Sequence, residues 1–194
     1  HKNLVTQIDA LGVAAAAGHA TRIVAKMNAL TDEEIIAALI RAGQKGVKID
    51  LIVRGACTLP AQVPGVTDNI RVRSVIGRFL EHSRVFYFRN GEDESLYLSS
   101  ADWMNRNMMR RIELAWPVTD PGLRQRLIDE CLVAYLHDGR DAWDLGGDGI
   151  YTRVDHDTHA GEAGASRAIE AHGAQAALMN RYASRAHIRD ASGN

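Results

Sequence analysis

Residues 22–53 read RIVAKMNALTDEEIIAALIRAGQKGVKIDLIV, and two short apolar runs in them flank one amphipathic segment. The runs at residues 22–27 and 47–53 are rich in Ile and Val, which predicts buried strands. Apolar residues recur at helical spacing between the runs, and Thr31 with Glu34 predicts a capping box at the start of this helix. A strand, a helix and a strand in this order predict two parallel strands joined by a right-handed crossover.

The remaining patterns extend this unit into a mixed α/β sheet with flanking helices. Further strands are predicted at residues 70–76, 85–88, 96–98 and 111–118, and helices at 4–18, from Pro121 onward and within 160–186. Residues 146–149 (GGDG) predict a plain turn, because a phosphate-binding loop would need a lysine and a following helix.

The composition favours one globular domain and narrows the classes of site. No apolar run is long enough to cross a bilayer, so we expect a cytoplasmic chain. Cys57 and Cys131 are too few and too far apart for a disulfide framework or a zinc site, which predicts two reduced thiols.

Arginine outnumbers lysine nineteen to four, and eight arginines lie within residues 71–111. A guanidinium group binds phosphate through two parallel hydrogen bonds, as an ammonium group cannot. The bias therefore indicates phosphate recognition, although a genome rich in arginine codons would produce the same bias. The net charge of −1 argues against bulk adhesion to a polyanion.

The candidate chemistry centres on His82 and Arg84, directly before the strand predicted at residues 85–88. Residues two apart on an extended chain point to the same face. An imidazole can give a proton to a leaving oxygen, and a neighbouring guanidinium can stabilise the negative charge that develops. Ser99 and Ser100 follow the next strand and can donate hydrogen bonds to the same phosphate. This set predicts a phosphoryl-transfer site with His82 as its catalytic residue.

Three more basic residues are expected at the same end of the sheet. Arg54 directly follows a parallel strand at its carboxyl end, where open α/β sheets bind ligands. Arg111 begins the strand predicted at residues 111–118 and should return to that end. We predict that both bind phosphate oxygens. For Lys26, near the end of the first strand, phosphate binding and a plain surface charge are weighed equally.

The order of these residues resembles one half of a phospholipase D-type site. That pattern runs His-x-Lys, then Gly-Ser-x-Asn, then an acid. This chain has Arg84 in place of the lysine, Ser99-Ser100-Ala101-Asp102 in place of Gly-Ser-x-Asn, and Glu113 as the acid. The resemblance implies a phospholipase D-like mixed sheet.

Longer strings resemble the last domain of type 1 polyphosphate kinases. They are RIVAKMNAL (22–30), GVKIDLIVRG (46–55), DNIRVRS (68–74), RFLEHSR (78–84) and YLSSADWM (97–104), within a resemblance that spans residues 20–136 and, more loosely, 175–182. The family reversibly transfers the terminal phosphate of ATP to inorganic polyphosphate through a phosphohistidine. The resemblance implies that His82 assists transfer as an acid or base, and that Arg54 and Arg111 bind nucleotide or polyphosphate.

The resemblance also implies that much of the site lies elsewhere. The family's phosphohistidine, its Mg²⁺ ligands and its main adenine contacts lie in upstream domains, so we expect this chain to be part of a longer polypeptide and inactive alone. The expected domains are a linker helix at 1–20, a phospholipase D-like domain at 21–155 and a helical tail at 156–194. Residues 60–62 (PAQ) stand where a more basic segment is expected.

The implied ligands are ATP or ADP and inorganic polyphosphate, without nucleic acid. The full-length protein is expected to be a homo-oligomer in the cytoplasm, with a peripheral position at the inner membrane as an alternative.

Two other functions fit the same residues. A phospholipase D-like phosphodiesterase or nuclease completed by dimerisation would also have one His-x-basic motif per chain, and it would hydrolyse a generic phosphodiester. A non-enzymatic module could bind polyanions through the arginines of residues 71–111, and its binding would survive His82→Ala.

Overall fold

The computed structural model describes residues 1–154 and 167–191. The predicted boundary at residues 155–156 and the first part of the helix predicted over 160–186 lie outside the described residues. Among the described helices, none is both long enough and apolar enough to span a bilayer.

The described helices are α1 (Lys2–Ala16), α2 (Glu33–Gln44), α3 (Asn105–Arg110), α4 (Pro121–Leu127), α5 (Ala134–Leu136), α6 (Arg167–His172) and α7 (Ala174–Ala191). A π-helical turn (Ile128–Val133) joins α4 to α5. The strands are β1 (Thr21–Met27), β2 (Lys48–Val53), β3 (Ile70–Val75), β4 (Val85–Asn90), β5 (Asp93–Ser99), β6 (Ala115–Pro117), β7 (Ala142–Leu145) and β8 (Tyr151–Arg153).

The strands form one mixed sheet in the order β6-β5-β4-β1-β2-β3-β7-β8. The pairs β1–β2 and β2–β3 are parallel and the other pairs are antiparallel. The predicted βαβ unit and the mixed α/β class are therefore confirmed. One end of the sheet, which we call the carboxyl rim, collects the ends of β1, β2, β3 and β5 and the beginnings of β4, β6 and β7.

Apolar side chains cover both faces of the sheet. Along β1, Ile23 and Ala25 pack in the cluster that contains α1 and α2, whereas Val24 packs in the cluster that contains Leu132 and Tyr135. Each fully buried aliphatic side chain stabilises the fold by about 1.5–3 kcal/mol. Since α1 contributes buried residues to the first cluster, it is part of the packed domain.

The start of α2 differs from the predicted capping box by one residue. Asp32 is the N-cap, and its carboxylate accepts from the N–H of Ile35 at 3.0 Å. The prediction of Thr31 as the cap that accepts from Glu34 is wrong. The physical reason is that the N–H groups of Thr31 and Asp32 both donate to the carbonyl of Trp103, which holds these two residues outside the helix.

The strand predicted at residues 111–118 is confirmed only at Ala115–Pro117, where β6 forms, and is wrong over the rest of its length. β5 ends at Ser99, which pairs with Ala115, so no strand residue stands opposite residues 111–114. The side chain of Ile112 is 99% exposed in this unpaired segment. The sequence patterns did not predict α3, β7 or β8. The predicted turn at residues 146–149 is confirmed as the connection between β7 and β8.

Candidate active site

His82 lies in an irregular connection between β3 and β4 at the carboxyl rim. We call residues 76–84 the His82 loop; it contains no helix or strand. His82 and Ser83 are exposed, whereas their neighbours Glu81 and Arg84 are partly buried. The loop therefore presents the imidazole to solvent between two residues that contact the rest of the domain.

Arg84 fixes the loop on the β4 side. Its Nε and Nη2 donate to the two carboxylate oxygens of Asp102 at 3.0 Å each, and its Nη1 donates to the carbonyl of His82 at 2.9 Å. Asp102 also accepts from the N–H of Asn28 at 2.7 Å. Burial acts to raise the pKa of Asp102, but the hydrogen bonds from Arg84 and Asn28 outweigh it, so this pKa lies below its ordinary value.

Arg54 lies at the rim directly after β2, where the sequence analysis placed it. Its Nε donates to the side-chain oxygen of Asn28 at 3.1 Å, and its carbonyl accepts from the hydroxyl of Ser74 at 3.0 Å. Because Asn28 also donates to Asp102, a continuous chain of hydrogen bonds joins Arg54 to Arg84. The two guanidinium groups are thus held at one rim by a shared scaffold.

Lys26 is buried and fixes the loop on the other side of His82. Its ammonium group pairs with Glu81 and lies 3.1 Å from the centroid of the Tyr135 ring. Glu81 also accepts from the hydroxyl of Tyr135 and, at 2.7 Å, from the amide of Gln175. Burial lowers the pKa of Lys26, and its pairing with Glu81 opposes this effect. The positive charge of Lys26 is therefore already balanced within the domain.

The pKa of Glu81 shows that this carboxylate is held in its ionised form. Burial acts to raise it, but Lys26, Tyr135 and Gln175 together bring it below its ordinary value. Glu81 thus serves as an anchor for the residue that follows it, His82.

Ser99 and Ser100 also lie at the rim, where their hydroxyl groups hold the segment that leads to β6. Ser99 donates to the carbonyl of Leu114 at 3.1 Å, and Ser100 donates to Glu113 and accepts from the N–H of Leu114 at 3.0 Å. Both hydroxyl protons are therefore engaged within the domain.

Arg111 is exposed at the end of α3, two residues before Glu113. The expectation that it starts a strand fails with the strand itself. The prediction that Arg111 lies at the rim depended on this strand, so it stays a prediction.

A narrow cleft brings part of the predicted set together beside His82. It includes Lys26 and Arg54 with residues that the sequence analysis did not single out. Its lining is Lys26, Met27, Asn28, Ile52, Arg54, Val75, Glu81, Ser83 and Tyr135. Asn28 lies just after β1, where the sequence places it with Lys26 at the end of the first strand. Tyr135 lies on a predicted helix, where no local pattern marks it as part of a site.

The arginines of residues 71–111 do not form one free basic surface. The Nε of Arg71 lies 2.7 Å from a carboxylate oxygen of Asp50. Arg73 is buried, and its Nε and Nη2 donate to the two carboxylate oxygens of Asp144 at 2.7 and 2.8 Å. These two guanidinium groups pair with carboxylates of neighbouring strands, so a polyanion-binding module would have to use other arginines of this range.

The carboxylates near His82 do not fit a magnesium site. Glu81 is occupied by Lys26, Tyr135 and Gln175, and Asp102 is occupied by Arg84 and Asn28. Across residues 1–154 and 167–191, no three His, Cys, Asp or Glu side chains are grouped so as to hold a metal ion.

Comparisons with known proteins find similar chains among polyphosphate kinases. The family model described as polyphosphate kinase C-terminal domain 2 matches residues 1–164. A polyphosphate kinase of Xylella fastidiosa strain Temecula1 is 46% identical over 167 residues, which cover 84% of this chain and 24% of that protein. The crystal structure of polyphosphate kinase from Porphyromonas gingivalis matches with a TM-score of 0.81 and 35% identity, over 95% of this chain and 26% of that chain.

The phospholipase D family member Nuc from Salmonella typhimurium is a further neighbour, with a TM-score of 0.47 and 15% identity over 65% of this chain and 80% of that chain. The chain spans about a quarter of the length of the polyphosphate kinases that it matches.

Proposed function

This chain belongs to the polyphosphate kinase C-terminal domain family, and from that premise we propose that it supplies one half of the site where ATP and inorganic polyphosphate exchange a phosphoryl group. The other half, with the phosphohistidine and the Mg²⁺ ligands, belongs in this proposal to upstream domains of the same polypeptide. Transfer is reversible, and ADP and lengthened polyphosphate are its products.

The observation that carries the proposal is the way His82 is held. Its side chain is exposed, while the residue before it is bonded to Lys26 and the residue two positions after it is bonded to Asp102. A solvated imidazole on an ordinary flexible loop would gain nothing from such anchors. A group that must meet a phosphate in one orientation does gain from them, because orientation lowers the barrier of the transfer step.

The chemistry assigned to His82 is proton transfer. As the bond between the terminal phosphorus of ATP and its bridging oxygen breaks, negative charge develops on the leaving ADP oxygen, and an imidazolium can protonate that oxygen or stabilise its charge. In the reverse direction the neutral imidazole takes the proton back. Arg54 lies beside the cleft and can neutralise phosphate oxygens through its guanidinium fork.

His82 is proposed as the acid or base and not as the residue that carries the phosphate. In-line attack by an imidazole requires a phosphate clamped from the far side by cations. This chain offers cationic groups at the rim, but within residues 1–154 and 167–191 no three His, Cys, Asp or Glu side chains are grouped to hold the metal ion that such a clamp would use. The upstream domains would supply it.

The partners follow from the same proposal. They are ATP or ADP, inorganic polyphosphate, the upstream domains of the polypeptide and further copies of the full-length protein. The proposed place of action is the cytoplasm.

The test uses a full-length polyphosphate kinase that carries this domain. His82→Ala should slow polyphosphate synthesis by about two to four orders of magnitude, as loss of acid–base help does. The covalent phosphate trapped with labelled ATP should still map to another histidine. His19→Ala is the matched control, because His19 is also exposed but lies in the turn after α1. Labelled phosphate on the peptide that contains His82 would overturn the assignment.

A further inference from the structure

The side chain of Gln175, near the start of α7, binds the His82 loop through both of its polar atoms. Its Oε1 accepts from the N–H of Phe79 at 2.7 Å, and its Nε2 donates to the carbonyl of Phe79 at 2.9 Å and to Glu81 at 2.7 Å. Gln175 itself is buried, with 7% of its surface exposed. The amide of Gln175 therefore bonds both the N–H and the carbonyl of Phe79, as a neighbouring β-strand would. It also bonds Glu81, the residue before His82.

The start of α7 is held in a defined position. The N–H of Ala174 donates to the carboxylate of Asp138 at 2.7 Å, and the other oxygen of that carboxylate accepts from the N–H groups of Arg140 and Asp141. Gly173 has a φ of +80°, and a Cβ there would lie 2.8 Å from an oxygen of Asp141. Because α7 starts at a fixed point, Gln175 can act as a rigid clamp.

The loop passes so close to this amide that a side chain at one loop position would displace it. A Cβ on Gly77 would lie 2.5 Å from the Oε1 of Gln175. A larger residue at position 77 would therefore have to push away the same oxygen that accepts from the N–H of Phe79.

Packing alone does not hold this part of the loop. Phe79 is 50% exposed and Leu80 is 72% exposed, so the apolar side chains next to the clamp bury little surface. A loop with few buried apolar contacts opens easily unless polar contacts hold it. The amide of Gln175 supplies those contacts, while Arg84 supplies them at the other end of the loop.

We propose that Gln175 is a positioning residue for His82, so that helix α7 acts on the reaction at a distance by setting the shape of the His82 loop. That Gln175 orders the loop follows from the geometry alone. That this order serves catalysis rests on the proposed function of His82, and the experiments below separate the two.

Two substitutions distinguish a clamp from general stabilisation. Gln175→Ala removes all three hydrogen bonds. Gln175→Glu keeps the shape and the acceptor for the N–H of Phe79, but its ionised form turns a second oxygen toward the carbonyl of Phe79 and the carboxylate of Glu81. When protonated, that glutamate regains a donor at this position. Its defect should therefore shrink as the pH falls.

The first experiment measures the loop in this chain without reference to activity. Arg78 is exposed, and the bond after it leads to the N–H of Phe79 that Gln175 holds. Limited trypsin digestion under native conditions, read by peptide mass, should cleave after Arg78 roughly tenfold faster in Gln175→Ala, because cleavage follows the population of the open loop.

Ser184→Ala on the same helix is the control; Ser184 is exposed and its hydroxyl donates to the carbonyl of Asn180. Its cleavage rate should match that of the unaltered chain. An unchanged rate in Gln175→Ala would overturn the clamp.

The second experiment measures kinetics in a full-length polyphosphate kinase with this domain. Gln175→Ala should lower kcat by about a hundredfold, as a small misplacement of a catalytic group does, with little change in KM for ATP. Relative to the unaltered enzyme, Gln175→Glu should regain activity toward acid pH, a change that mere loss of folded protein would not produce.

The outcomes separate the two claims. Faster cleavage after Arg78 with unchanged kcat, in an enzyme that does lose activity on His82→Ala, would overturn the positioning role. If His82→Ala leaves the rate unchanged, the proposed function of His82 fails, while faster cleavage would still support the clamp.

Discussion

Arg84 holds Asp102 with two parallel hydrogen bonds of 3.0 Å, while a third nitrogen of the same guanidinium donates to the carbonyl of His82. The side chain that the sequence analysis assigned to phosphate therefore has a structural task at the same time. Two of its five N–H protons remain for a ligand. We infer that Arg84 first orients the backbone of His82 and can contact phosphate only from this fixed position.

Arg84→Lys should destabilise the domain although it keeps the charge. A lysine ammonium group cannot donate the two parallel hydrogen bonds that Arg84 donates to Asp102. The charged carboxylate of Asp102 therefore loses hydrogen bonds that offset the cost of its burial. We expect the free energy of unfolding, measured with urea, to fall by about 1–3 kcal/mol. Arg54→Lys is the matched control, since Arg54 donates one side-chain hydrogen bond to Asn28. Equal losses in the two variants would contradict the structural role of Arg84.

Asp102 should make the stability of the domain fall at acid pH. The pKa of its carboxyl is lowered in the folded chain, whereas an unfolded aspartate has a pKa of about 3.9. As the pH falls, the unfolded chain therefore binds the proton first, and the stabilisation present above about pH 4 is lost as the pH passes the folded pKa. The difference in unfolding free energy between the unaltered chain and Asp102→Asn should be constant from about pH 7 to 5 and narrow below that. A difference that stays constant to about pH 2 would contradict this assignment.

Polyphosphate binding by this chain should depend on Arg54, Arg84 and Arg111 and weaken with salt. Each guanidinium that contacts a phosphate displaces a counterion, so each alanine variant should reduce the slope of log affinity against log salt by about 0.7–0.9. Titration at two or more salt concentrations measures this slope. Arg41→Ala is the control, because Arg41 is exposed on α2 and pairs with Asp9. An unchanged slope in all three variants would remove these arginines from the site.

The purified chain should fold but make no polyphosphate from ATP and Mg²⁺. It carries His82 and the rim arginines, whereas the phosphohistidine and the metal ligands of the proposal lie in other domains. Circular dichroism and thermal denaturation would establish folding, and release of ADP would report synthesis. Steady synthesis by this chain would show that the half-site proposal is wrong. Hydrolysis of a generic phosphodiester would instead favour the phospholipase D-like alternative.

The parts of the fold that could be predicted are those whose pattern is local and buried. β1 and β2 alternate between two apolar clusters, and α2 has one apolar face, so their periodicity identifies them. β7 has only four residues. Trp143 in this strand is 38% exposed and Asp144 accepts from Arg73, so β7 does not show the alternation of apolar and polar residues that would predict a strand. The strand predicted from Arg111 onward had the right residue types but no partner strand opposite most of its length.

The candidate site also contains some residues that local sequence patterns predict and one that they do not. His82, Arg54 and Arg84 could be found because each lies directly beside a strand end, and strand ends determine which residues share a rim. Gln175 could not, because a single glutamine on an alanine-rich helix has no local mark, and its partners are 94 and 96 residues away along the chain. Contacts of this kind depend on how helices dock, which local periodicity does not encode.

The contact between Phe79 and Gln175 has a consequence for the order in which a ribosome completes this domain. Phe79 and Gln175 are separated by 96 positions. At a translation rate of about 5–20 residues per second, roughly 5–20 seconds pass between the synthesis of the two. By the end of that interval all strands from β1 to β8 have been synthesised, while the loop that carries His82 still lacks the amide that shapes it. The apolar cluster that contains α1 and α2 can thus form before Gln175 is available to shape the loop.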